Sequence, residues 1–231
     1  WVHLHHLVKD ADVIHLHWVA NFLDYTSFFK NISKPIVWTL HDSNPFRGGF
    51  HCDMHKISDY DSLEKLVEQE KYNYKKAYLK KINVVSPSIW MYNRAKKSLF
   101  FNGDLHFHIA NGITTNHHYS QNESREALNI PLDRNVVLFV AENIDDIHKG
   151  VTYLIDSLKV INLESVFCLI IGSGSDLGIS IPHKHLGYLD NYQTIAMAYS
   201  AADVFVIPSL EDNLPNTVLE ALSCGTPVVG F

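Results

Sequence analysis

The residues with the clearest capacity for chemistry lie near the carboxyl end of the chain, where an apolar strand pattern gives way to a helical one. The strand pattern ends at Pro208 and Ser209, an acidic loop follows, and the helix is predicted to begin near Pro215 and to stop at Gly225. Proline suits the first turn of a helix, and glycine commonly follows the last. The N–H groups at a helix start bind anions, most often phosphate. We therefore predict a phosphate site at the start of this helix.

A carboxylate lies one turn into the same predicted helix. Thr217 and Glu220 are three residues apart and share a helix face, while Val218, Leu219 and Leu222 are expected to face the core. A carboxylate in this position can accept hydrogen bonds from ribose hydroxyls. The arrangement is typical of a nucleotide site at the carboxyl ends of parallel strands.

The elements that would position these residues alternate between strands and helices. Short β-branched or aromatic runs are separated by helical patterns of about ten to fifteen residues, which predicts right-handed crossovers, a parallel sheet and an α/β fold. Continuous apolar strands indicate a sheet covered on both faces. A helix is predicted over about 22–31, and strands over 12–19, 35–41, 83–88, 105–111, 136–141, 166–172, 185–189, 203–209 and 227–231.

The composition excludes several classes of protein. The 231 residues are 46% hydrophobic and 19% charged, with a formal net charge of −6. This apolar content excludes a disordered chain, and the acidic balance argues against a nucleic-acid partner. The longest apolar runs, 136–141 and 166–171, fall far short of the roughly 20 residues that a membrane-spanning helix needs. The cysteines are scattered and form no CxxC pair, which favours a reduced, cytoplasmic compartment.

The length fits one domain or two, at about 100–200 residues per domain. The stretch 111–135 is the most polar and least strand-like, and both sides of it carry their own alternation of strands and helices. We predict Rossmann-like domains over 1–112 and 133–231, with a junction over 113–132. The chain begins at Trp1 without an initiator Met and ends directly after an apolar run. We therefore expect a piece of a longer polypeptide in which both domains are incomplete.

Positive charge is concentrated in one segment. Residues 56–97 hold ten Lys or Arg against five Asp or Glu, and a basic helix is predicted over 64–81. One interpretation is a solvated helix face. The other is a surface that approaches anionic lipid or an acidic acceptor, giving a peripheral contact with the membrane.

The acidic loop and the helix after it resemble a family motif. Asp212 and Glu220, with seven residues between them, and the ending EALSCGTPVVGF are similar to the donor site of retaining, family-4-type glycosyltransferases, the glycosyl transferases group 1 of GT-B fold. Here Asn213-Leu214-Pro215-Asn216 stands where Gly-Phe-Gly-Leu is usual, and Asp212 where glutamate is commoner. The DNLPN form resembles a branch that assembles bacterial surface polysaccharides.

Other segments resemble the same family in the same order. The segment 147–158 is similar to its lysine-glycine segment, in which Lys149 would hold the donor diphosphate. His148 stands beside the lysine, where the family commonly adds an arginine. The segment 170–176, with Gly172 and Gly174, resembles the family's glycine loop, although a Gly-Ser-Gly alone is most often a tight turn.

The segment 185–209 resembles the lining of the nucleobase pocket. The resemblance would bring Gly187, Tyr188 and Leu189 near the base, and the alternative for the tyrosine is a place in the core. The segment 107–113 is similar to the junction between the two domains, with Thr114 and Thr115 where an aspartate is common.

The first half of the chain resembles the acceptor-side domain of the same branch, through segments 12–18 and 34–52. There His41, at the end of its predicted strand, would reach the donor sugar across the cleft, and Asp42, which follows it, would lie on the acceptor side. Gly48 and Gly49 give a permissive backbone that could lie close to an acceptor.

Fifteen histidines raise the question of a metal. His51, Cys52 and His55 form an H-C-x-x-H pattern that could supply three ligands, so structural zinc is one alternative. Three ligands on one short loop without a fourth argue against it, and we predict no metal. His15 and His17 alternate with apolar residues and are expected to share one strand face.

The resemblance implies transfer of a sugar from a UDP or GDP sugar to the hydroxyl of a saccharide or lipid-linked saccharide, with retained anomeric configuration and without a metal or other cofactor. Lys149 and the helix start would stabilise the leaving diphosphate, Glu220 would orient the ribose, and Asp212 and His41 the sugar. The alternatives are a nucleotide-sugar epimerase or hydrolase of the same architecture, and a non-catalytic module that binds nucleotides or carbohydrates.

Overall fold

The structure, a computed structural model, describes residues 2–20, 22–51, 60–78, 80–114, 118–160, 165–175 and 178–230. The chain divides into two units, residues 1–111 and 112–231. Each unit is built on a parallel sheet. The predicted α/β class with two Rossmann-like domains is therefore confirmed.

The sheet of the first unit has the strand order β1-β2-β3-β4 in the described residues. Its neighbours are all parallel, and Ile14, Ile36 and Ile82 lie side by side near the strand starts. The residues that follow β1 and β2 therefore meet at one edge of the sheet. The strands are β1 (Ile14–Leu16), β2 (Ile36–Thr39), β3 (Ile82–Ser86) and β4 (Leu105–His108), and the helices are α1 (His6–Asp10), α2 (Tyr25–Asn31), α3 (Asp61–Ala77) and α4 (Ile89–Lys97).

Aromatic side chains fill the core of the first unit. The ring of Trp38 is fully buried and meets those of Phe100 and Phe101 edge to face, with centroid distances of 6.1 and 5.8 Å. Its indole Nε1 donates a hydrogen bond of 3.1 Å to the carbonyl of His17. A buried indole N–H needs such an acceptor, so the core also fixes the backbone just beyond β1.

Helix α3 covers residues 64–77 of the basic helix predicted over 64–81 and ends at Ala77, with Tyr78 as its C-cap. It docks through charged side chains. Leu63 and Leu66 are 53% and 59% exposed, whereas Glu64 and Lys75 are buried. Arg47 donates to both carboxylate oxygens of Glu64, at 2.6 and 2.9 Å. Paired charges thus take the place that leucines usually occupy where a helix packs on a core.

The sheet of the second unit has the order β7-β6-β5-β8-β9 in the described residues, again with parallel neighbours. The strands are β5 (Asn135–Asn143), β6 (Val166–Ser173), β7 (His183–His185), β8 (Val204–Ile207) and β9 (Val228–Gly230). The helices are α5 (Gln121–Ala127), α6 (Val151–Leu158), α7 (Tyr192–Ala201) and α8 (Asn216–Ser223).

Strand β6 is buried on both faces, as its continuous apolar run predicts. Every residue from Val166 to Gly172 is buried. Phe167, Leu169 and Ile171 join one hydrophobic cluster, and Cys168 and its neighbours on the opposite face join a second. The alternation follows from the period of two along a strand, so the second unit has a core on each side of its sheet.

Two local expectations for the second unit are wrong. The strand predicted over 185–189 lies earlier, at His183–His185, because Gly187 has a left-handed φ of 71° that interrupts extended backbone. Leu222, expected in the core, is 57% exposed. Ala221 and Cys224 are buried instead, so the side of α8 that carries these two residues faces the core.

Part of the segment predicted as a junction packs within the second unit. Arg125 of α5 is buried and donates from Nη2 to Asp203 Oδ2 at 2.7 Å and from Nε to the carbonyl of Ala201 at 2.9 Å. The same carboxylate oxygen accepts the N–H of Val136 at 2.6 Å. These bonds hold α5 to the starts of β5 and β8.

Among the helices of the described residues, none combines the length and the apolar character that a bilayer crossing demands.

We expect Lys75→Met to destabilise the first unit by about 3–5 kcal/mol, the cost of breaking a buried ion pair. Lys75 Nζ donates to Asp104 and, at 2.6 Å, to the carbonyl of Phe100, and both charged side chains are almost fully buried. Methionine would leave the Asp104 carboxylate without its cation. The free energy of unfolding, measured by urea denaturation, tests this.

Lys76→Met is the matched control because Lys76 is exposed on the same helix. Its loss should change the free energy of unfolding by no more than about 0.5 kcal/mol. Equal effects of the two substitutions would contradict a stabilising role for the buried pair.

Candidate functional site

A tight turn follows β5 and carries Lys149. The turn is a short 3-10 helix, Ile147–Lys149, whose first N–H groups are capped by Asp146, since its Oδ1 accepts from the N–H of His148 at 2.9 Å. Gly150 follows with a left-handed φ of 68°, and a Cβ there would lie 1.9 Å from the carbonyl oxygen of Pro208. Only glycine fits this approach, which presses the turn against the end of β8.

The turn is also joined to the acidic loop after β8. The carbonyl of His148 accepts the N–H of Leu210 at 2.9 Å. Beyond it, Lys149 Nζ lies 3.0 Å from Asp212 Oδ2, with both side chains partly exposed. The structure thus brings together two predicted site residues that are 63 positions apart.

Helix α8 begins at Asn216, directly after Pro215, as predicted. Its N-cap residue, Pro215, makes no side-chain capping bond. Asp212 Oδ1 accepts the N–H of Asn213 at 3.0 Å, which holds the start of the loop. The predicted donor residues here run through the loop and the first helical turn: Asn213, Leu214, Pro215, Asn216 and Thr217.

Glu220 faces α7 and bonds a buried tyrosine. Its Oε2 accepts a hydrogen bond of 3.0 Å from the hydroxyl of Tyr199. Burial, and then the charge of Glu220, raise the pKa of Tyr199 well above its usual range, so the phenol stays protonated and donates.

A cavity of about 380 Å³ opens beside this pair, within the second unit. Its walls are largely apolar, and Glu220 is one of the polar residues that line it. A concave, mostly apolar space with a few polar groups is typical of a small-molecule site. The lining includes residues that the sequence analysis did not single out, namely Ile113, Tyr192, Ile195 and Tyr199.

The glycine loop at the end of β6 is fixed to the loop after β5. A Cβ at Gly172 would lie 2.1 Å from the carbonyl oxygen of Ala141, so the backbones touch. Past Gly174, the N–H and the hydroxyl of Ser175 donate to Asp145 Oδ2 at 3.1 and 3.2 Å. The loops after two neighbouring strands therefore form one surface at the carboxyl edge of the sheet.

The predicted base contacts lie beside this loop. The carbonyl of Gly187 accepts the N–H of Gly172 at 2.9 Å. Tyr188 is 66% exposed, so the alternative of a core tyrosine is wrong. Leu189 packs against the hydrophobic cluster that contains Tyr199. A direct contact of residues 187–189 with a base stays a prediction.

Histidines line the edge of the first sheet. His17 Nδ1 and His41 Nε2 are 2.9 Å apart, and His15 Nε2 lies 2.8 Å from the hydroxyl of Thr39. The rings of His15 and His17 have centroids 4.2 Å apart, which confirms that they share a face. Burial, and then the nearby His17, lower the pKa of His41, while Asp42 acts in the opposite direction.

Asp42 is an acceptor for several neighbouring groups. Its Oδ2 accepts from Trp18 Nε1 at 3.1 Å and faces His51 Nδ1 at 2.6 Å, and its Oδ1 accepts the N–H of Asn44 at 3.0 Å. The carboxylate therefore organises the loop after β2. Its predicted contact with a substrate stays a prediction.

The two glycines after this loop differ in their surroundings. A Cβ at Gly48 would lie 2.3 Å from the carbonyl oxygen of Glu64, so the close approach of α3 explains this glycine. Nothing lies within 4 Å of the corresponding position at Gly49. An acceptor contact at either residue stays a prediction.

The part of the chain that the structure describes holds no group of three His, Cys, Asp or Glu side chains arranged for a metal ion. Of the H-C-x-x-H pattern, His51 is described, while Cys52 and His55 lie outside the described residues, as does Thr115.

Sequence comparison links the second unit to a known family. Residues 120–231 match the family model described as Glycosyl transferases group 1. The chain is 27% identical to a protein of Methanocaldococcus jannaschii, the uncharacterized glycosyltransferase MJ1607, over 96% of this chain and 58% of that protein. It is 28% identical to the putative teichuronic acid biosynthesis glycosyltransferase TuaC of Bacillus subtilis, over 48% of this chain and 28% of that protein. The chain thus spans less than two thirds of the length of these relatives.

Solved structures share the fold. The sucrose-phosphate synthase of Thermosynechococcus elongatus superposes with a TM-score of 0.68 at 20% identity, over 95% of this chain and 55% of that one. HepE of Anabaena, in complex with UDP and glucose, superposes with a TM-score of 0.61 at 20% identity, over 85% of this chain and 53% of that one. These likenesses confirm the predicted GT-B class.

We expect the first unit to lose stability as the pH falls from about 7.5 to 5.5, and His41→Gln to reduce that loss. The folded state holds the pKa of His41 below its ordinary value of about 6.5, so the unfolded chain binds more protons below that pH. The free energy of unfolding therefore falls as the pH drops through this value. Urea denaturation at both pH values measures the difference.

The substitution should leave a residual pH dependence, because the pKa of His15 is lowered too, by burial and then by His17. An identical pH dependence in the wild type and in His41→Gln would contradict the assignment to His41.

Proposed function

We propose that the protein transfers a sugar from a nucleoside-diphosphate sugar to an acceptor hydroxyl, with retention at the anomeric carbon. The match of residues 120–231 to the Glycosyl transferases group 1 model supports this proposal. The observation that carries this proposal is the arrangement at the carboxyl edge of the second sheet. There Lys149 meets Asp212 at 3.0 Å, and Glu220 reaches a cavity of about 380 Å³. A cation for a diphosphate and a carboxylate for a ribose are thus present in one unit.

The proposed chemistry is mainly electrostatic. As the bond between the sugar and the diphosphate breaks, negative charge grows on the leaving oxygens. The ammonium of Lys149 and the N–H groups at the start of α8 stabilise that charge. The acceptor hydroxyl attacks the same face of the sugar that the diphosphate leaves, and its proton passes to the leaving phosphate, so no protein base is assigned. A metal has no part in this proposal.

The remaining residues position the donor. Glu220 accepts hydrogen bonds from the ribose hydroxyls, and Asp212 orients the sugar once the donor draws Lys149 towards its phosphates. His41 is proposed as a sugar contact from the first unit. Holding the donor sugar and the acceptor hydroxyl close together and correctly oriented removes much of the entropic cost of bringing them together.

A uridine nucleotide is the first donor to test, because HepE, which shares the fold, was solved with UDP and glucose. Guanosine nucleotides are the second donor class to test. The sugar is taken to be a hexose.

The proposed acceptor is a saccharide or a lipid-linked saccharide in polysaccharide assembly. The name of the TuaC relative, which refers to teichuronic acid biosynthesis, supports this class. The basic segment 56–97 is proposed to approach an anionic membrane surface from the cytoplasmic side. Leu63 and Leu66, exposed on α3, lie within that segment.

We expect UDP or GDP to stabilise the full-length protein, by about 2.7 kcal/mol at 100 times its dissociation constant.

We also expect Lys149→Met and Glu220→Gln each to lower kcat/KM for sugar transfer, the first by about 100-fold or more because one stabilising charge is lost. Thermal unfolding with each nucleotide, and transfer to an oligosaccharide acceptor, provide the measurements.

Lys159→Met is the matched control, because Lys159 is an exposed lysine of the same unit that pairs with Asp156 on the surface. Unchanged rates in both site variants would refute the site.

Release of free sugar or of an epimer without any acceptor would identify a hydrolase or an epimerase. Tight nucleotide binding without turnover would identify a binding module.

A further inference from the structure

Tyr199 is a buried group that the proposed chemistry leaves without a role. Its side chain is fully buried in α7, next to the cavity, yet it carries a hydroxyl. That hydroxyl donates to Glu220 Oε2 at 3.0 Å. A buried phenol that donates to a carboxylate forms a charge-assisted hydrogen bond.

The ring of Tyr199 has little freedom to move. It meets the buried ring of Phe205 edge to face, with a centroid distance of 5.6 Å. The backbone carbonyl of Tyr199 accepts a hydrogen bond of 2.6 Å from the hydroxyl of Thr226, which is itself buried. The hydroxyl of Tyr199 is therefore a fixed donor in a close-packed core.

Glu220, in contrast, is a flexible side chain at the edge of a cavity. A glutamate has three rotatable side-chain bonds, and its carboxylate would otherwise sample several rotamers. The bond from Tyr199 to Oε2 selects among them, because only some rotamers place that oxygen within reach of the phenol. It leaves the carboxylate at the cavity wall in one orientation.

We propose that Tyr199 is a positioning residue that sets the cavity's preference for ribose over deoxyribose. Its hydroxyl holds the Glu220 carboxylate in the orientation in which it accepts hydrogen bonds from the vicinal hydroxyls of a ribonucleotide. The proposal rests on the proposed function, since it takes Glu220 as the ribose contact. It adds a residue whose effect passes entirely through Glu220.

The test compares UDP with 2′-deoxy-UDP and 3′-deoxy-UDP, and GDP with its deoxy forms, by calorimetry on the full-length protein. The wild type should bind the ribonucleotide about 10-fold more tightly than a deoxy form or better, because the lost hydroxyl leaves a carboxylate unpaired. Tyr199→Phe should reduce this ratio to about 3-fold or less. Its affinity for the deoxy nucleotides should stay within about 2-fold of the wild type.

A purely structural role for Tyr199 would lower the affinity for ribo and deoxy nucleotides equally, and that result would overturn the proposal. So would an unchanged ratio in Tyr199→Phe. Tyr25→Phe is the matched control, because it removes the hydroxyl of a partly buried tyrosine that packs on the other core and bonds the carbonyl of Pro45 in the first unit. It should leave the ratio unchanged.

The double variant Tyr199→Phe/Glu220→Ala provides the decisive comparison. If Tyr199 acts through Glu220, the substitution Tyr199→Phe has no further effect on the ratio once Glu220 is alanine. Additive effects would overturn the proposal. If Tyr199→Phe does not fold, Glu220→Asp replaces it as the test. This substitution keeps the negative charge but moves the carboxylate away from the phenol. Retention of the full ratio of ribonucleotide to deoxynucleotide affinity in Glu220→Asp would contradict the proposal.

Failure of this proposal and failure of the proposed function have different outcomes. A wild type that binds neither UDP nor GDP overturns both. A wild type that binds and transfers, but whose ribose preference survives in Tyr199→Phe, overturns the role of Tyr199 alone.

Discussion

The candidate site of the second unit depends on one point of backbone contact, between Gly150 and Pro208. Because a Cβ at Gly150 would lie 1.9 Å from the Pro208 carbonyl oxygen, any side chain there would push the turn after β5 away from the end of β8. The bond from the N–H of Leu210 to the carbonyl of His148 would be lost with it. The loops that carry Lys149 and Asp212 are both held in place at this contact.

The two units use buried polarity in different ways. In the first, Lys75 and Glu64 attach a helix to the core by ion pairs, which fix one docking geometry and make it sensitive to the loss of either partner. In the second, the buried phenol of Tyr199 orients a carboxylate that reaches a cavity. The first arrangement serves the fold, and the second provides a way for the core to shape the site.

The apolar periodicity of the sequence predicts the parallel sheets, because it is a local signal. The family resemblance implies that Lys149 and Asp212 serve one donor site, but it does not predict the ion pair between them. The sequence does not predict the features that depend on contacts between residues far apart along the chain. The sequence of α3 does not indicate that Glu64 pairs with Arg47. It therefore does not predict that Glu64 is buried while the neighbouring Leu63 is exposed. Tyr199 lies inside a segment that resembles the base pocket, yet only its hydrogen bond across to α8 distinguishes it from an ordinary core tyrosine.

The burial of β6 has a consequence for Cys168, which lies in the middle of that strand. Burial raises the pKa of its thiol to about 12, so almost no reactive thiolate forms near neutral pH while the sheet is closed. An alkylating reagent can therefore reach the sulfur only during moments when the strand opens. The rate at which Cys168 is alkylated therefore reports how often the second unit opens locally around β6.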